Sequence, residues 1–413
     1  MLSVSTVRYE TLAGMDIDHL HFYVEDAQRM RDWLVQRMGF VALAGQVDAR
    51  QDTQVELVGQ GAVRFLLSSA RSPASPVARY LKHHPPGIVD IALRVEGLEQ
   101  GWKAFLSRLP STPLEASTDK RLVTGLHHQD GLVWGAIALC DTLRHTLIER
   151  SQAPLSDLTY PGITLTPYSP VDVPSSTLAQ PLEWIDHVVL NVPQGKLEAM
   201  TDWYARVFGF QQKQSFRIKT SHSGLQSAVM QDATGTIQIP INEPATANSQ
   251  IQEFLDCNRG AGVQHVALRT RDAIATVSQL RQRQVPFIEV PATYYEALLQ
   301  REGCRLTPEQ VRAIAAQKLL VDWQANDPQA LLLQTFTHPV FAEPTLFFEM
   351  IERQATQSPA YALSPTAKAT QPQTLTPVQG FGERNFQALF EAIEQEQIRR
   401  GSLQSSHQGS RTT

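Results

Sequence analysis

The chain has few cysteines and no long apolar stretch. Its 413 residues include only Cys140, Cys257 and Cys304, which lie far apart and form no Cys-x-x-Cys pair. This pattern argues against a disulfide framework and a structural zinc site, and it favours a reducing cytosol. No apolar run approaches the length of a bilayer span, and the first residues lack the basic and apolar regions of a secretory signal. We therefore expect a cytoplasmic protein without a membrane partner.

Positive charge is not in excess either. The chain has 36 Lys and Arg residues against 41 Asp and Glu residues, a net charge of -5, which gives no electrostatic reason to expect a nucleic-acid partner. Glycine-rich loops of the forms G-x-G-x-x-G and G-x-x-x-x-G-K are missing, so we expect no nucleotide and no organic cofactor. A chain of this length exceeds what one hydrophobic core usually holds, which predicts two or more domains.

What the chain does contain is an internal repeat. An apolar, β-branched run carries a histidine in each copy: His19 in the run 17–24 and His187 in the run 184–192. Such runs predict buried strands. A helical pattern with an Asp-Trp pair follows in both copies and ends at Gly-Phe, where glycine can adopt the left-handed cap conformation.

The repeat continues through further strand pairs. The runs that match are 63–67 with 237–241, 87–93 with 262–268, and 146–150 with 349–353. Each half therefore runs strand–helix–strands twice. This order predicts an α+β fold with a small cupped sheet, built from two such modules, in each half.

Composition places the domain boundaries. We expect an N-terminal domain over 1–151, a Pro- and Ser-rich linker over 152–183, and a C-terminal domain over 184–401. The second domain ends in a helical pattern that begins after 380–382. The polar tail 402–413 is expected to be disordered.

Three polar side chains occupy matching strand positions in the two halves. The second half has His187, His265 and Glu349, and the first half has His19, Asp90 and Thr146. A single histidine in a strand is more often a hydrogen-bonded core residue than a ligand. A carboxylate in an apolar run such as 346–351, however, is costly without a partner cation. The set in the second half therefore predicts a metal site, and the first half is predicted to have none.

The types of ligand indicate the metal. Two neutral imidazoles and one carboxylate suit a divalent first-row metal, and when they leave three coordination positions open they favour non-haem Fe(II). We expect one Fe(II) per chain. The open positions are those that a bidentate substrate and O2 would need.

Several stretches together resemble a known family. They are 186–189, 223–229, 240–244, 249–252, 260–265, 291–295, 333–337, 347–349 and 380–382. In these the chain resembles the 4-hydroxyphenylpyruvate dioxygenases of the vicinal-oxygen-chelate superfamily, over nearly its full length and most strongly from about 184 onward. The resemblance implies two vicinal-oxygen-chelate domains built from repeated βαβββ modules, of which the second is catalytic and carries a C-terminal closing helix.

The resemblance also implies roles for the site residues. It makes His187, His265 and Glu349 the Fe(II) ligands. The residues that match its substrate pocket are Ser227, Pro240, Asn242, Gln250, Gln264, Gln334, Phe336, Phe381, Asn385, Phe386 and Leu389. Without the family, each phenylalanine would be interpreted as ordinary core packing and each glutamine as a solvated strand face. No catalytic residue is expected beyond the metal ligands and this pocket.

The implied reaction joins decarboxylation to ring oxidation. The substrates would be 4-hydroxyphenylpyruvate and O2 and the products homogentisate and CO2, with a shift of the side chain around the ring. Hydroxymandelate synthase, which oxidises the benzylic carbon instead, and a non-catalytic binding protein of the same superfamily stay open as alternatives. The ligand set alone would also suit an extradiol ring-cleaving dioxygenase. A homodimer or homotetramer is expected.

One departure from the family pattern lies in the C-terminal motif. The family usually carries a second glycine where this chain has Glu383 and Arg384. These side chains are expected to change how the closing helix is seated over the pocket.

Overall fold

The computed structural model describes residues 13–110, 123–150, 158–169, 181–220, 222–324, 327–356, 376–377, 380 and 382–403. The elements of the first half are β1 (Ala13–Tyr23), α1 (Ala27–Trp33), which continues as a π-helical turn (Leu34–Met38), β2 (Val41–Asp48), β3 (Thr53–Gln60), β4 (Val63–Ala70), α2 (Pro76–Leu81), β5 (Gly87–Glu96), α3 (Leu98–Leu106), β6 (His127–Gln129), β7 (Leu132–Ala138) and β8 (Arg144–Arg150). Three short strands follow: β9 (Thr159–Tyr160), β10 (Ile163–Thr164) and β11 (Thr166–Pro167).

The second half repeats the arrangement with additions. Its elements are β12 (Leu182–Asn191), α4 (Leu197–Phe208), β13 (Gln211–Lys219), β14 (Gly224–Gln231), β15 (Gln238–Pro244), α5 (Gln250–Asn258), β16 (Gly262–Thr270), α6 (Ala273–Gln282), α7 (Ala292–Gln300), α8 (Pro308–Ala316), β17 (Leu320–Gln324), β18 (Asp327–Phe336) and β19 (Phe347–Arg353). The last elements are β20 (Ala355–Thr356), β21 (Thr376–Pro377) and α9 (Glu383–Arg400). Helices α7 and α8 are an insertion before β17.

The two large sheets have the same strand order, except that the first has β11 as an additional edge strand. The first runs β11-β2-β3-β4-β1-β5-β8-β7-β6 and the second β13-β14-β15-β12-β16-β19-β18-β17. In each, the central strand, β1 or β12, is parallel to one neighbour and antiparallel to the other. The predicted α+β fold with repeated modules and a C-terminal helix is therefore confirmed, whereas the predicted domain boundaries stay predictions.

Glycine ends the first helix of both halves as predicted. Gly39 and Gly209 have φ angles of 79° and 72°, a left-handed conformation that costs glycine little because it has no Cβ. The turn redirects each chain from the helix into the outer strands of its sheet. Because a left-handed glycine ends the first helix in both halves, both chains turn from the helix into the sheet in the same way.

A bulge interrupts the central strand at the same point in each half. The pairing of β1 with β5 shifts between Ile17 and His19, and the pairing of β12 with β16 shifts between Ile185 and His187. Bulges re-aim side chains and are common next to active sites. Here the bulge lets an aspartate and the histidine that follows it approach each other.

Part of the predicted linker belongs to the first sheet. Strand β11 pairs with β2, with Thr166 opposite Gly45, and Tyr160 and Leu165 pack against Leu57. This stretch carries no clear periodicity because its strands are only two residues long. The N-terminal leader, most of the tail and Phe381 lie outside the described residues.

One apolar core joins the two halves. The rings of Phe65 on β4 and Phe348 on β19 stack with their centroids 5.8 Å apart, and His145 Nε2 lies 2.8 Å from the hydroxyl of Tyr204 on α4. These side chains are buried. The two sheets are therefore packed together through the faces that point away from His19 and His187. Among the described helices, none has the length and apolar character needed to cross a membrane.

Candidate metal centre

Two imidazoles and one carboxylate converge on the inner face of the second sheet. His187, His265 and Glu349 lie on β12, β16 and β19, which are adjacent strands. Glu349 Oε2 is 3.3 Å from His187 Nε2 and 3.4 Å from His265 Nε2. Within the described part of the chain, this is the one group of three or more such side chains close enough to share a metal ion.

The spacing fits a metal ion. Ligand atoms about 2.1 Å from a divalent first-row ion stand about 3.0 to 3.4 Å apart, depending on the angle between them. The two distances above lie in that range. All three side chains are buried, and a buried carboxylate needs a compensating cation. The donor set therefore suits a divalent metal.

Each imidazole has an oxygen partner at its other nitrogen. His187 Nδ1 lies 2.9 Å from Asp186 Oδ1, and His265 Nδ1 lies 3.3 Å from Gln264 Oε1. Both oxygens accept hydrogen bonds, so Nδ1 carries a proton in each ring, and Nε2 is the nitrogen that can bind a metal once it is free of a proton. A partner of this kind fixes the ring and the tautomer of a metal-binding histidine.

Asp186 is itself held by two arginines. Arg353 Nε donates to Asp186 Oδ2 at 2.8 Å and Arg353 Nη2 donates to Oδ1 at 2.7 Å. Arg269 Nη1 adds a longer contact of 3.3 Å to Oδ2, and Arg353 Nη1 donates to the carbonyl of Gly380 before the closing helix. Although burial raises the pKa of Asp186, Arg353 and His187 outweigh it and hold that pKa well below its usual range.

The three side chains also set one another's protonation. Burial raises the pKa of Glu349, but His187 and His265 outweigh it and hold this pKa at about 2. Burial lowers the pKa of His187, but Glu349 and Asp186 raise it to about 9. Burial lowers the pKa of His265. Without a metal, His187 is therefore an imidazolium at pH 7. A metal ion that binds its Nε2 must displace the proton from that nitrogen.

The first half has the same aspartate–histidine and aspartate–arginine contacts, but it lacks the three converging side chains. His19 Nδ1 lies 2.8 Å from Asp18 Oδ1, and Arg150 donates to Asp18 from Nε at 2.9 Å and from Nη2 at 3.0 Å. Arg150 Nη1 donates to the carbonyl of Thr159, as Arg353 does to that of Gly380. The bulge, the aspartate and the arginine are thus features of the repeated module, and the metal set is added only in the second half.

A cavity of about 400 Å³, its open mouth included, extends from the three side chains. Of the residues predicted to form the substrate pocket, seven line it: Ser227, Pro240, Asn242, Gln334, Phe336, Phe386 and Leu389. Val189, Phe216 and Val229 also line it and were not predicted. Val189 and Val229 could have been found by alternation, because each lies two residues from a predicted site residue on the same strand.

The sheet orders the cavity wall into three levels. His187, Val189 and Asn191 follow one another on the inner face of β12. Strand pairing sets Asn191 beside Asn242 and Asn242 opposite Ser227, and it sets Pro240 opposite Val229. Successive levels are about 7 Å apart along a strand. The cavity thus passes from His187, His265 and Glu349 through an apolar level to a polar level.

The polar level contains hydrogen-bonding atoms that are not used by the described protein groups. Ser227 Oγ and Asn242 Oδ1 are buried and have no partner there, while Asn242 Nδ2 donates to Asn191 Oδ1 at 3.2 Å. An unpaired buried polar atom costs about 1 to 3 kcal/mol. A ligand hydroxyl would satisfy both atoms.

Three predicted pocket residues lie elsewhere in the structure. Gln250 and Gln264 line a neighbouring cavity of about 600 Å³, its open mouth included. Gln264 lies at a bulge, where the pairing of β12 with β16 shifts between Val189 and Leu190, and its Oε1 lies beside Nδ1 of His265 and not beside the Nε2 that faces Glu349. Asn385 lies behind Gln334, to whose Oε1 it donates at 2.7 Å. Gln334 Nε2 in turn donates to Glu349 Oε1 at 2.7 Å, so Asn385 reaches the site through Gln334.

The closing helix α9 is seated by close contacts at its first turn. A Cβ at Gly382 would lie 2.8 Å from Gln334 Oε1, and the φ angle of Gly382 is 62°, so this position requires glycine. Arg384 donates to Asp322 from its backbone nitrogen at 3.2 Å and from Nη1 at 3.1 Å. The residue that departs from the family pattern therefore anchors the helix to β17.

Replacing Asp186 by Asn tests the support behind His187. Asn keeps an oxygen that can accept from Nδ1 but loses the charge that pairs with Arg353. We expect the affinity for a divalent metal to fall about 10- to 100-fold, because metal-bound imidazoles depend on such partners. Calorimetric titration of the metal-free protein with Co(II) measures this affinity without an activity assay.

The repeat supplies a matched control for this variant. Asp18→Asn removes the equivalent buried carboxylate from the first half, so it should lower the free energy of unfolding by a similar amount. It should leave the metal affinity unchanged. If both variants changed the metal affinity equally, or neither did, Asp186 would have no specific part in metal binding.

Comparison with known proteins assigns the chain to a family. Residues 9–129 match the model of the N-terminal domain of hydroxyphenylpyruvate dioxygenase, and residues 184–301 match that of the glyoxalase, bleomycin resistance protein and dioxygenase superfamily. The 4-hydroxyphenylpyruvate dioxygenase of Yarrowia lipolytica is 32% identical over 96% of both chains, and that of Coccidioides posadasii is 33% identical over 94% of both chains.

Solved structures share the fold. A triple mutant of 4-hydroxymandelate synthase from Streptomyces coelicolor superposes with a TM-score of 0.70 over 92% of this chain and 98% of that one, at 24% identity. A xylose isomerase-like TIM barrel/4-hydroxyphenylpyruvate dioxygenase fusion protein gives a TM-score of 0.68 over 94% of this chain and 53% of that one, at 23% identity. The predicted resemblance is confirmed by the similar sequences, and the chain belongs to the 4-hydroxyphenylpyruvate dioxygenase family.

Proposed function

We propose that the chain is an Fe(II)-dependent dioxygenase that converts 4-hydroxyphenylpyruvate and O2 to homogentisate and CO2. The observation that carries this proposal is the order of levels in the cavity: metal ligands, then an apolar level, then unpaired polar atoms. A molecule that fits has a chelating end, an aromatic middle and a hydroxyl at the far end. The substrate named for the related enzymes has these three parts.

The proposed metal is Fe(II), one per chain, held by His187, His265 and Glu349. A bound Fe(II) would supply coordination positions for a keto acid and for O2, and electrons for the reduction of O2. The charges support this choice, because a dication, the Glu349 carboxylate and the substrate carboxylate together are neutral. A neutral set is the least costly to bury. The protein needs no organic cofactor, because the substrate itself is the keto acid.

The apolar level would orient the ring and exclude water. Val189, Val229 and Pro240 lie along the sheet, and Phe216, Phe336 and Phe386 are the phenylalanines of the lining. Phe386 belongs to α9 and packs edge-on against Phe216, with their centroids 5.9 Å apart. Holding the ring in one position lowers the entropic part of the barrier and directs where the ring is oxidised. Leu389 adds to this wall from α9.

The polar level would bind the phenol. Ser227 Oγ can donate to or accept from a hydroxyl, and Asn242 Oδ1 can accept from it. Both atoms are buried and unpaired among the described groups, so the substrate hydroxyl would recover hydrogen bonds that the free protein lacks. Gln334 holds Glu349 at the opposite end of the cavity, which makes it a positioning residue for the metal ligand.

The remaining assignments complete the proposal. The domain 1–151 would be a vicinal-oxygen-chelate domain without metal, 152–183 a linker of which β11 pairs with the first sheet, and 184–401 the catalytic domain. We further propose that the protein is cytoplasmic and forms a homodimer or homotetramer.

Product analysis tests the proposed reaction. The protein is loaded with Fe(II) without oxygen, mixed with 4-hydroxyphenylpyruvate and exposed to O2. We expect homogentisate and CO2 in equal amounts, with no product from His265→Ala, because that variant lacks a metal ligand.

Each other outcome identifies a rival. 4-Hydroxymandelate would assign benzylic oxidation, and the absence of O2 uptake by the iron-loaded protein would indicate a binding protein. Activity with catechols and none with the keto acid would indicate an extradiol dioxygenase. Any of these three results contradicts the proposed function.

Substrate selectivity tests the polar level. We expect kcat/KM for 4-hydroxyphenylpyruvate to exceed that for phenylpyruvate by at least about 10²-fold, because a site that hydrogen-bonds a hydroxyl discriminates strongly against its loss. Ser227→Ala should lower kcat/KM for the hydroxylated substrate about 3- to 10-fold, the worth of one neutral hydrogen bond. It should leave phenylpyruvate turnover unchanged.

Val229→Ala provides the matched control on the same strand. This residue lies at the apolar level, so its loss should lower kcat/KM for both substrates by the same factor. Equal turnover of the two keto acids by the unmodified protein would disprove the assignment of Ser227 and Asn242 to the phenol.

A further inference from the structure

The first half contains a cavity in the place that corresponds to the metal site. It encloses about 1070 Å³, including its open mouth. His19, Asp90 and Thr146, the counterparts of the three proposed metal ligands, all line it. Among the described residues no metal-binding group of three occurs there.

A guanidinium has taken the place of an aromatic ring beside these positions. On the paired strands β5 and β8, Asp90 lies level with Arg144, as His265 lies level with Phe347 in the second half. Arg144 Nε donates to Asp90 Oδ2 at 2.6 Å. The backbone nitrogen of Thr146 donates to Asp90 Oδ1 at 3.0 Å. The first cavity therefore has a cation of its own, held in place by Asp90.

Arg144 is reachable from the cavity. Its side chain is 42% exposed, although Asp90 is buried. A guanidinium has five N–H groups in a planar fork, and the Asp90 bond uses the one on Nε. Tyr23, which also lines the cavity, bonds to the guanidinium as well. The other outer N–H groups are available for a ligand, and a carboxylate is the group that matches such a fork.

His21, which lies close to Arg144, adds no second cation. Burial lowers the pKa of His21, and the positive charge of Arg144 lowers it further, so His21 is neutral at pH 7. His21 Nε2 lies 2.8 Å from Ser68 Oγ, and both side chains line the cavity. Arg144 is therefore the permanent positive charge among the described lining residues.

The rest of the wall indicates which ligands would fit, through its apolar side chains and the charge at its mouth. Its apolar side chains include Val55, Leu66, Val77 and Ile137. Asp48 and Trp134 line both this cavity and an outer groove, so they lie at the mouth. The negative charge of Asp48 there disfavours ligands with several negative charges.

We propose that the first cavity is a metal-free binding site for a small monocarboxylate with an apolar or aromatic body, whose carboxylate pairs with the outer edge of Arg144. The carboxylate would gain two charge-assisted hydrogen bonds, and the body would cover the apolar wall. Asp90 and Thr146 are then positioning residues, since they fix the guanidinium. The site is separate from the proposed catalytic cavity and does not depend on the proposed reaction.

The test uses the full-length protein without metal and 4-iodophenylacetate as the probe. Soaked crystals locate the iodine by anomalous scattering, and calorimetry measures the affinity. The uncharged 4-iodophenylacetamide is the control ligand. We expect an iodine site in the first cavity with the carboxylate on Arg144, and at least 10-fold weaker binding of the amide at that site.

The matched variant is Asp90→Asn combined with Arg144→Gln, which removes the pair without leaving either charge buried alone. It should lose at least 10-fold in probe affinity at the first cavity and keep the Co(II) affinity of the unmodified protein. Iodine found only in the second cavity, equal binding of acid and amide, or unchanged affinity in the double variant would each overturn the proposal. The comparison of acid with amide uses the unmodified protein, so it decides the matter even if the variant does not fold.

Discussion

The buried carboxylate of Asp186 is the contact on which the metal centre depends. It accepts one hydrogen bond from His187 and two from Arg353. Because its charge is neutralised by arginine and its oxygens are all used, it can hold the imidazole in one tautomer without being protonated itself. The same guanidinium reaches the carbonyl of Gly380, so the segment that leads into the closing helix is tied to a proposed metal ligand.

The repeat shows that this support and the metal set are separable. Asp18, His19 and Arg150 reproduce the contacts of the second half, yet the next strands carry Asp90 and Thr146 in place of His265 and Glu349. The second half therefore has a donor set that suits a metal ion, and the first half pairs its buried carboxylate with the guanidinium of Arg144. A few inward-facing residues decide this difference on the same scaffold.

Much of this could be predicted from the sequence, because it depends on local patterns. The repeat predicted two similar halves of strands and helices, the glycines marked the helix ends, and matching positions singled out His187, His265 and Glu349. The bulges could not be predicted, since they depend on how two strands far apart in the chain are paired. Gln250 and Gln264 were expected in the pocket, but the direction of a side chain beside a bulge or at a helix start does not follow from its neighbours in sequence. Phe216 was missed because a phenylalanine facing a cavity and one facing the core leave the same pattern.

The central claim is that one half binds a metal and the other does not. Anaerobic calorimetric titration of the metal-free protein with Fe(II) at pH 7, in buffers of different ionisation enthalpy, tests it most directly. The account predicts one Fe(II) per chain and the release of close to one proton, because His187, with a pKa of about 9, must lose its proton to bind the ion. Two ions per chain, or no binding at all, would contradict it.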